Sequence, residues 1–275
     1  MDFTDEQIER YARHIVLKEV GGAGQQRLLR SKVLVVGAGG LGCPVVMYLA
    51  AAGVGTIGVV DHDVVSLSNL QRQIAHATAR IGTAKTASAA ATVAALNPDV
   101  RVVEHQTRLT ADNALDLIPA YDLVADGSDN FATRYLVNDA CFLARKTLVT
   151  AAIAQFDGQL ATFKAYQDGE HPCYRCLFRE APPGDFDESC ARDGILGALA
   201  GVMGSLQVVE VLKELLGIGA SLSGSLTIYD GLDGRFHRMS VRRDPACALC
   251  GTAPTIRDLS PHRRRAQPAA PAEAT

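Results

Sequence analysis

The sequence predicts an α/β fold: a Rossmann-like, doubly wound sheet whose parallel N-terminal half is continued by antiparallel strands, with a small four-cysteine knot attached. Three observations carry that expectation. Short apolar runs alternate with Ala-rich helical stretches over 32–150, the rhythm of βαβ units. A G-x-G-x-x-G turn, Gly37-Ala-Gly39-Gly40-Leu-Gly42, directly follows the first of these runs. Beyond residue 150 the pattern changes to longer strands joined by tight turns, which marks antiparallel pairing.

Taken in chain order, Thr4 and Gln7 have the spacing of a capping box, and Ile8, Tyr11 and Ile15 recur at helical intervals, so a helix is expected over 5–16. Its other face carries Arg10 and Arg13, and the pattern alone favours a solvated basic face over anion contact. Parallel strands are expected at 33–36, 56–60, 100–105, 123–125 and 148–150. The run 33–60 carries no charge and is long enough to cross a bilayer. Its glycines and Pro44 divide it into strand, turn, helix, turn and strand, which excludes a membrane helix. Further strands are expected over 151–164, around a Phe156-Asp157-Gly158 turn, and at 226–229 and 235–241. Between them lie a polar, Pro/Gly-rich segment at 180–193, read as a mobile loop, and an apolar helix at 197–216. From about Thr252 the chain is rich in Ala and Pro and is expected to be disordered to residue 275.

Composition narrows the function classes. A chain of 275 residues with 48% hydrophobic content buries one large core. A net charge of -3 with no basic stripe argues against a nucleic-acid partner. The polar, acidic N-terminus lacks a signal-peptide pattern, which together with no membrane segment points to the cytoplasm. Seven cysteines are too few for a disulfide framework. Four of them form two C-x-x-C pairs, Cys173 with Cys176 and Cys247 with Cys250, the pattern of a closed structural Zn2+ site. A redox C-x-x-C is the competing reading, and His171 is not required as a ligand. Cys43 and Cys141 read as buried small residues. Cys190 differs, because it lies in a polar segment with Arg192 nearby.

The glycine turn lets backbone N–H groups approach phosphate oxygens, and the following helix N-terminus adds roughly half a positive charge. Asp61, at the end of the next strand, has the position of a ribose-binding carboxylate. A nucleotide is therefore indicated, and an NAD-dependent oxidoreductase would share these features. The residues that follow favour a triphosphate: Asp63, then Ser68-Asn69-Leu70-Gln71-Arg72, then Lys85. Arg grips phosphate with a fork and Lys acts as a point charge, and a dehydrogenase needs neither here. Asp129 and Asn130 follow the strand at 123–125, at the sheet edge where such folds bind ligands; Asp129 is a candidate for Mg2+, with a turn or helix cap as the plainer alternative.

These residues, with Arg10-Tyr11-Ala12-Arg13-His14 and both cysteine pairs, resemble the ubiquitin-activating-like adenylyltransferase family, in the type that serves molybdopterin synthase and the thiamine pathway. The resemblance covers 1–251, as one adenylation domain with a nucleotide-binding half at 32–150 and a mixed-sheet half at 151–251 that bears the zinc site. It implies ATP across Gly40 and Asp61, phosphates neutralised by Arg72 and Lys85, magnesium on Asp129, and nucleotide positioning by Asn69 and Gln71. It further implies a homodimer in which Arg13 reaches the partner's nucleotide, and a covalent carrier link at Cys190, with an exposed, replaceable cysteine as the alternative that its acidic surroundings favour. The implied substrate is a small ubiquitin-like sulfur-carrier protein ending in Gly-Gly, with sulfur from a separate sulfurtransferase or cysteine desulfurase, since no sulfurtransferase domain follows Gly251. Gly127 stands where relatives often carry a bulkier residue, which implies a less constrained metal loop. A non-catalytic nucleotide-binding scaffold is the remaining rival.

Overall fold

In the computed structural model, residues 3–167, 169–180 and 194–263 are described. Helices α1 (Asp5–Ile15) and α2 (Gly21–Arg30) lead into β1 (Lys32–Val36), α3 (Gly42–Ala51), β2 (Thr56–Val60), α4 (Lys85–Leu96) and β3 (Arg101–His105). Then come α5 (Ala114–Leu117), β4 (Leu123–Asp126), α6 (Phe131–Leu143), β5 (Thr147–Ala154) and β6 (Asp157–Phe163). The described chain ends with α7 (Tyr174–Leu177), α8 (Gly197–Leu216), β7 (Ser225–Asp230), β8 (Arg235–Ser240) and α9 (Ser260–Arg263).

The eight strands of the described residues join one sheet in the order β3-β2-β1-β4-β5-β6-β7-β8, parallel from β3 to β5 and antiparallel from β5 to β8. The expected fold class is thus what the chain adopts. The expected division of strands at residue 150 is not. β5 is continuous, because Thr147 to Thr150 pair in parallel with β4 while Leu148 to Ala154 pair antiparallel with β6. One strand therefore joins the two halves of the sheet.

The strands in the middle are buried on both faces, which is why their sequences read as continuous apolar runs. Val33 and Val35 of β1 pack with Val45, Leu49, Leu199 and Met203 on one face. Leu34 and Val36 pack with Leu136, Val137 and Ala140 of α6 on the other. Chain order reverses beside β1, whose neighbours are β2 and β4, so a crevice opens at the C-terminal ends of these strands. Among the described residues no helix is long and apolar enough to cross a membrane.

Helix α2 had no sequence signal, since Gly21-Gly-Ala-Gly suppresses helix propensity. Tertiary contacts override that composition. Gln25 is fully buried, bonding His14 Nδ1 through Oε1 at 3.0 Å and donating to Ala52 O at 2.9 Å.

The disorder expected from Thr252 is not found over 252–263, and residues 264–275 lie outside the described residues. Leu259 is buried in the core beneath α6, and the ring of His262 lies 2.8 Å from Asp139 Oδ2. Asp139, itself fully buried on α6, also accepts from Arg175 Nε and Nη2, both at 2.7 Å, and from Asn138 Nδ2 at 3.0 Å. One carboxylate thus secures the knot segment around Cys173 and the residues after Cys250 to the same helix. Replacing it by Asp139→Ala leaves the Arg175 guanidinium half-buried without its acceptor; a loss of about 3–5 kcal/mol in unfolding free energy is expected, measured by denaturant titration.

Candidate functional site

The crevice beside β1 is a cleft of about 490 Å³. Its floor is the glycine turn. Gly37 has φ +90°, a conformation that L side chains rarely adopt, and a Cβ on Gly42 would lie 1.8 Å from the Gly37 carbonyl oxygen. The third glycine therefore permits α3 to start directly against the strand. A Cβ on Gly40 would sit 3.3 Å from Ala200 of α8 and 3.5 Å from the methylenes of Arg72, so the turn is closed in from above.

Ala38, inside the turn, is tied on two sides. Its N–H donates to Asp61 Oδ2 at 2.8 Å, and its carbonyl accepts from His76 Nε2 at 2.9 Å. Because a carbonyl only accepts, Nε2 carries the proton and Nδ1 takes the hydrogen bond of the Ser88 hydroxyl at 2.9 Å. Asp61 Oδ1 accepts from Asp63 N at 2.8 Å, so this carboxylate braces the loop as well as facing the cleft.

Of the residues expected at the site, Gly37, Gly39, Gly40, Asp61, Asp63, Ser68, Gln71, Arg72, Lys85, Asp129 and Asn130 line the cleft together. Gly42, Asn69 and Leu70 do not. Asn69 Oδ1 accepts from Ser66 N at 3.1 Å, which shapes the 3-10 turn that carries Ser68 and presents Arg72. Arg72 donates to Ser68 O at 3.1 Å, and among the described residues it meets no carboxylate. Lys85, buried at the start of α4, is 2.9 Å from Asp63 Oδ2. Partial burial opposes the charge on Asp63, but the Lys85 ammonium, helped by His62 and Arg108, outweighs it and holds that carboxyl below the usual aspartate range.

Asn130 caps α6, accepting from Thr133 N at 2.8 Å, so the cap reading and the cleft position both hold for it. Asp129 is exposed in the cleft, where its Oδ1 is 3.5 Å from Asn130 Nδ2 and meets no cation among the described residues. The loop it belongs to is not loose. A Cβ on Gly127 would come within 3.0 Å of Gly42 N, so glycine here lets the loop sit directly on the start of α3. Buried Asp126 accepts from Ser128 N at 3.0 Å and Thr150 Oγ1 at 2.9 Å.

The sequence pattern assigned no role to Arg134, Arg108, His62, Gln73 and Ser128, all of which line the cleft. Arg134 was detectable: it lies four residues after the cap Asn130, one turn up the same helix face. It donates to Ser128 O and to Ala151 O, the latter at 2.8 Å, and thereby clamps the loop to β5. Arg13 is exposed on α1 and is not part of this cleft. Cys190 and nearly all of the segment at 180–193 lie outside the described residues.

Away from the cleft, the Sγ atoms of Cys173, Cys176, Cys247 and Cys250 lie within 4.8 Å of one another, with pairs at 3.9, 3.5 and 3.3 Å. Four thiolates about 2.3 Å from one tetrahedral metal would be separated by similar distances, so the set fits zinc. His171 instead bonds Ser223 Oγ through Nδ1 at 2.9 Å. Cys43 and Cys141 are buried; burial pushes the Cys43 thiol up to about 12 and Cys141 well above its ordinary value, which makes both poor nucleophiles.

Burial lowers the pKa of His76 below its ordinary value, with Lys85 and Arg80 adding to the effect. The unfolded chain therefore takes up this proton first as pH falls. The stability that His76 contributes is complete above about pH 6.5 and is lost progressively below it, down through the lower folded-state value. A thermal midpoint that drops between pH 7 and pH 5, with a smaller drop in His76→Leu, is the expected result.

The sequence pattern of the ThiF family matches residues 11–249. The sulfur carrier protein adenylyltransferase of Thermus thermophilus is 52% identical over 261 residues, covering 94% of this chain and 96% of that protein. The adenylyltransferase and sulfurtransferase MOCS3 of Sus scrofa is 51% identical over 93% of this chain, which spans 56% of that longer protein. Among solved structures, E. coli MccB with MccA-N7isoASN has a TM-score of 0.77 at 22% identity, covering 91% of this chain and 76% of that one, a likeness of fold. With a glycine turn, a nucleotide-sized cleft and a family pattern spanning nearly all of the sheet, the chain belongs to the ThiF family.

Proposed function

We propose that this chain adenylylates the C-terminal glycine carboxylate of a small ubiquitin-like sulfur-carrier protein, using ATP and releasing pyrophosphate. The observation that carries the reading is the convergence of Arg72, Lys85 and Asp129 on a cleft floored by the glycine turn and edged by Asp61. The names of the Thermus and Sus scrofa relatives support it. ATP lies with its ribose at Asp61 and its phosphates towards Arg72 and Lys85. Attack by one anion on another is slowed by repulsion and misalignment; fixed cations offset the first, and binding both reactants offsets the second by up to roughly 7–11 kcal/mol. An uncompensated carboxylate at Asp129 fits a divalent ion, and Mg2+ there would neutralise phosphate charge. No covalent residue is needed for this step.

Arg13, exposed on α1 and outside its own cleft, is assigned to the nucleotide of a second protomer in a homodimer. Cys190 is assigned to a covalent adduct with the activated carrier. The pathway is molybdenum cofactor or thiamine biosynthesis, with sulfur brought by a separate sulfurtransferase or cysteine desulfurase, in the cytoplasm. A hydride-transferring NAD enzyme would have no use for Arg72 and a cation-free Asp129 at this position.

Carrier-dependent exchange of labelled pyrophosphate into ATP tests the reading. Wild-type protein exchanges label only when a Gly-Gly carrier is added, and Arg72→Ala or Asp129→Ala lowers the rate by about 100-fold or more. Normal exchange in either variant would overturn the assigned roles. The four-cysteine site predicts one zinc per chain by elemental analysis. Structural zinc contributes on the order of 10 kcal/mol to folding, so Cys250→Ser is expected to lose the metal and melt at markedly lower temperature.

A further inference from the structure

His76 is 8% exposed and does not line the cleft, yet its ring is bonded to the glycine turn that forms the cleft floor. Nε2 donates to the Ala38 carbonyl at 2.9 Å, and Nδ1 accepts from the Ser88 hydroxyl on α4. Arg80 Nη1 in turn donates to Ser88 Oγ at 3.2 Å and to Thr92 Oγ1, one turn further along α4, at 2.8 Å. This chain of side chains holds the imidazole in one orientation, and none of its members lines the cleft. The Cys43 thiol also donates to the Ala38 carbonyl, at 3.4 Å, but a thiol is a weak donor.

A peptide group is planar and trans, so its C=O and the N–H of the next residue point in opposite directions. The Ala38 carbonyl is turned away from the cleft towards His76, and the Gly39 N–H of the same group is therefore turned towards the cleft. Gly39 and Gly40 line the cleft, and their N–H groups meet no acceptor among the described residues. The Ala38-Gly39 peptide is easy to invert, because glycine takes positive φ about as readily as negative. Inversion would put the Ala38 carbonyl oxygen into the cleft, where its partial negative charge repels an anion. The preceding peptide is fixed separately, by Ala38 N donating to Asp61 Oδ2 at 2.8 Å.

We propose that His76 is a positioning residue for the nucleotide: its Nε2–H holds the Ala38-Gly39 peptide in the orientation that presents the Gly39 N–H to the phosphate chain. This rests on the ATP-binding half of the adenylylation reading and adds the group that decides whether the cleft floor offers a donor or an acceptor. His76 touches neither nucleotide nor carrier. Its contribution is the choice between two orientations of one peptide dipole, made beneath the cleft before a ligand arrives. A ligand that carries phosphate depends on that choice. Adenosine, with the same base and ribose but no phosphate, does not.

Equilibrium binding of ATP and of adenosine to the full-length protein, at about pH 8 where the imidazole is neutral, separates a directed donor from a general prop. His76→Gln keeps an amide N–H as many bonds from Cβ as Nε2 is. His76→Asn places its amide at the level of Nδ1, able to meet Ser88 but short of the Ala38 carbonyl. His76→Asn weakens ATP binding about 10-fold, the scale of one hydrogen bond to a charged group, and leaves adenosine within about 2-fold, while His76→Gln brings ATP back to within about 3-fold of wild type. A second measurement needs no variant: the Gly39 amide proton resonance of wild-type protein moves downfield on adding ATP and not on adding adenosine. Equal weakening of both ligands in His76→Asn, undiminished ATP binding in it, no recovery in His76→Gln, or a Gly39 resonance that ATP does not move overturns the assignment while the nucleotide reading stands. Wild-type protein that binds ATP no more tightly than adenosine overturns both.

Discussion

The arrangement of the cleft depends on one close approach of backbone to backbone. The Gly37 carbonyl occupies the space where a Cβ on Gly42 would be, and the Gly127 backbone lies within 3.4 Å of where a Cβ on Gly37 would be. Three segments that are distant in sequence meet there with no side chain between them: the end of β1, the start of α3 and the loop after β4. That contact fixes the N-terminus of α3 at the cleft floor, where its free N–H groups and dipole favour anionic groups. It also sets the distance from the glycine turn to Asp129. The braces on Ala38, from Asp61 on one side and His76 on the other, prevent the turn from relaxing.

Charge is distributed around that floor with little internal cancellation. Lys85 is neutralised in part by Asp63, whereas among the described residues Arg72 is held by a carbonyl and no carboxylate, and Asp129 meets no cation. Such unpaired groups are costly to assemble in a protein interior, and they are tolerated here because the cleft is open to water on one side. They become useful when a ligand of opposite charge replaces that water. Rigidity comes from other groups. Arg134 joins Ser128 to Ala151, and Gln207 of α8 reaches under the sheet edge to Asp126 and Val149.

The cysteine knot serves a different purpose, as an attachment between parts of the chain that the sheet does not join. Its two pairs come from segments 74 residues apart, and Arg175, inside the first pair, carries the connection on to Asp139. His262 reaches the same carboxylate from beyond the second pair. Residues 251–263 are thus held by a metal-sized cluster at one end and a buried acceptor at the other, although their composition is that of a solvated tail.

The sequence by itself determined the periodic elements and the chemistry of the turn. Strands buried on both faces must be apolar throughout, and backbone that meets backbone must be glycine, so β1, α3, β2 and the Gly37–Gly42 turn were legible residue by residue. So were Asp61, Arg72, Lys85 and Asp129 as cleft residues, because a charged side chain at a strand end, a loop or a helix start is hard to explain by packing. What only the tertiary structure decided is where neutral and structural polar groups end up. Helix α2 forms against its own propensity because Gln25 finds partners on α1 and at the end of α3. The tail follows Asp139, and β5 runs through the change of sheet direction. Gln73, Ser128 and Arg134 look ordinary in sequence, since a glutamine, a serine or a helical arginine is usually solvated. Their significance lies in burial and in which partners they have, and those are properties of contacts between segments far apart in the chain.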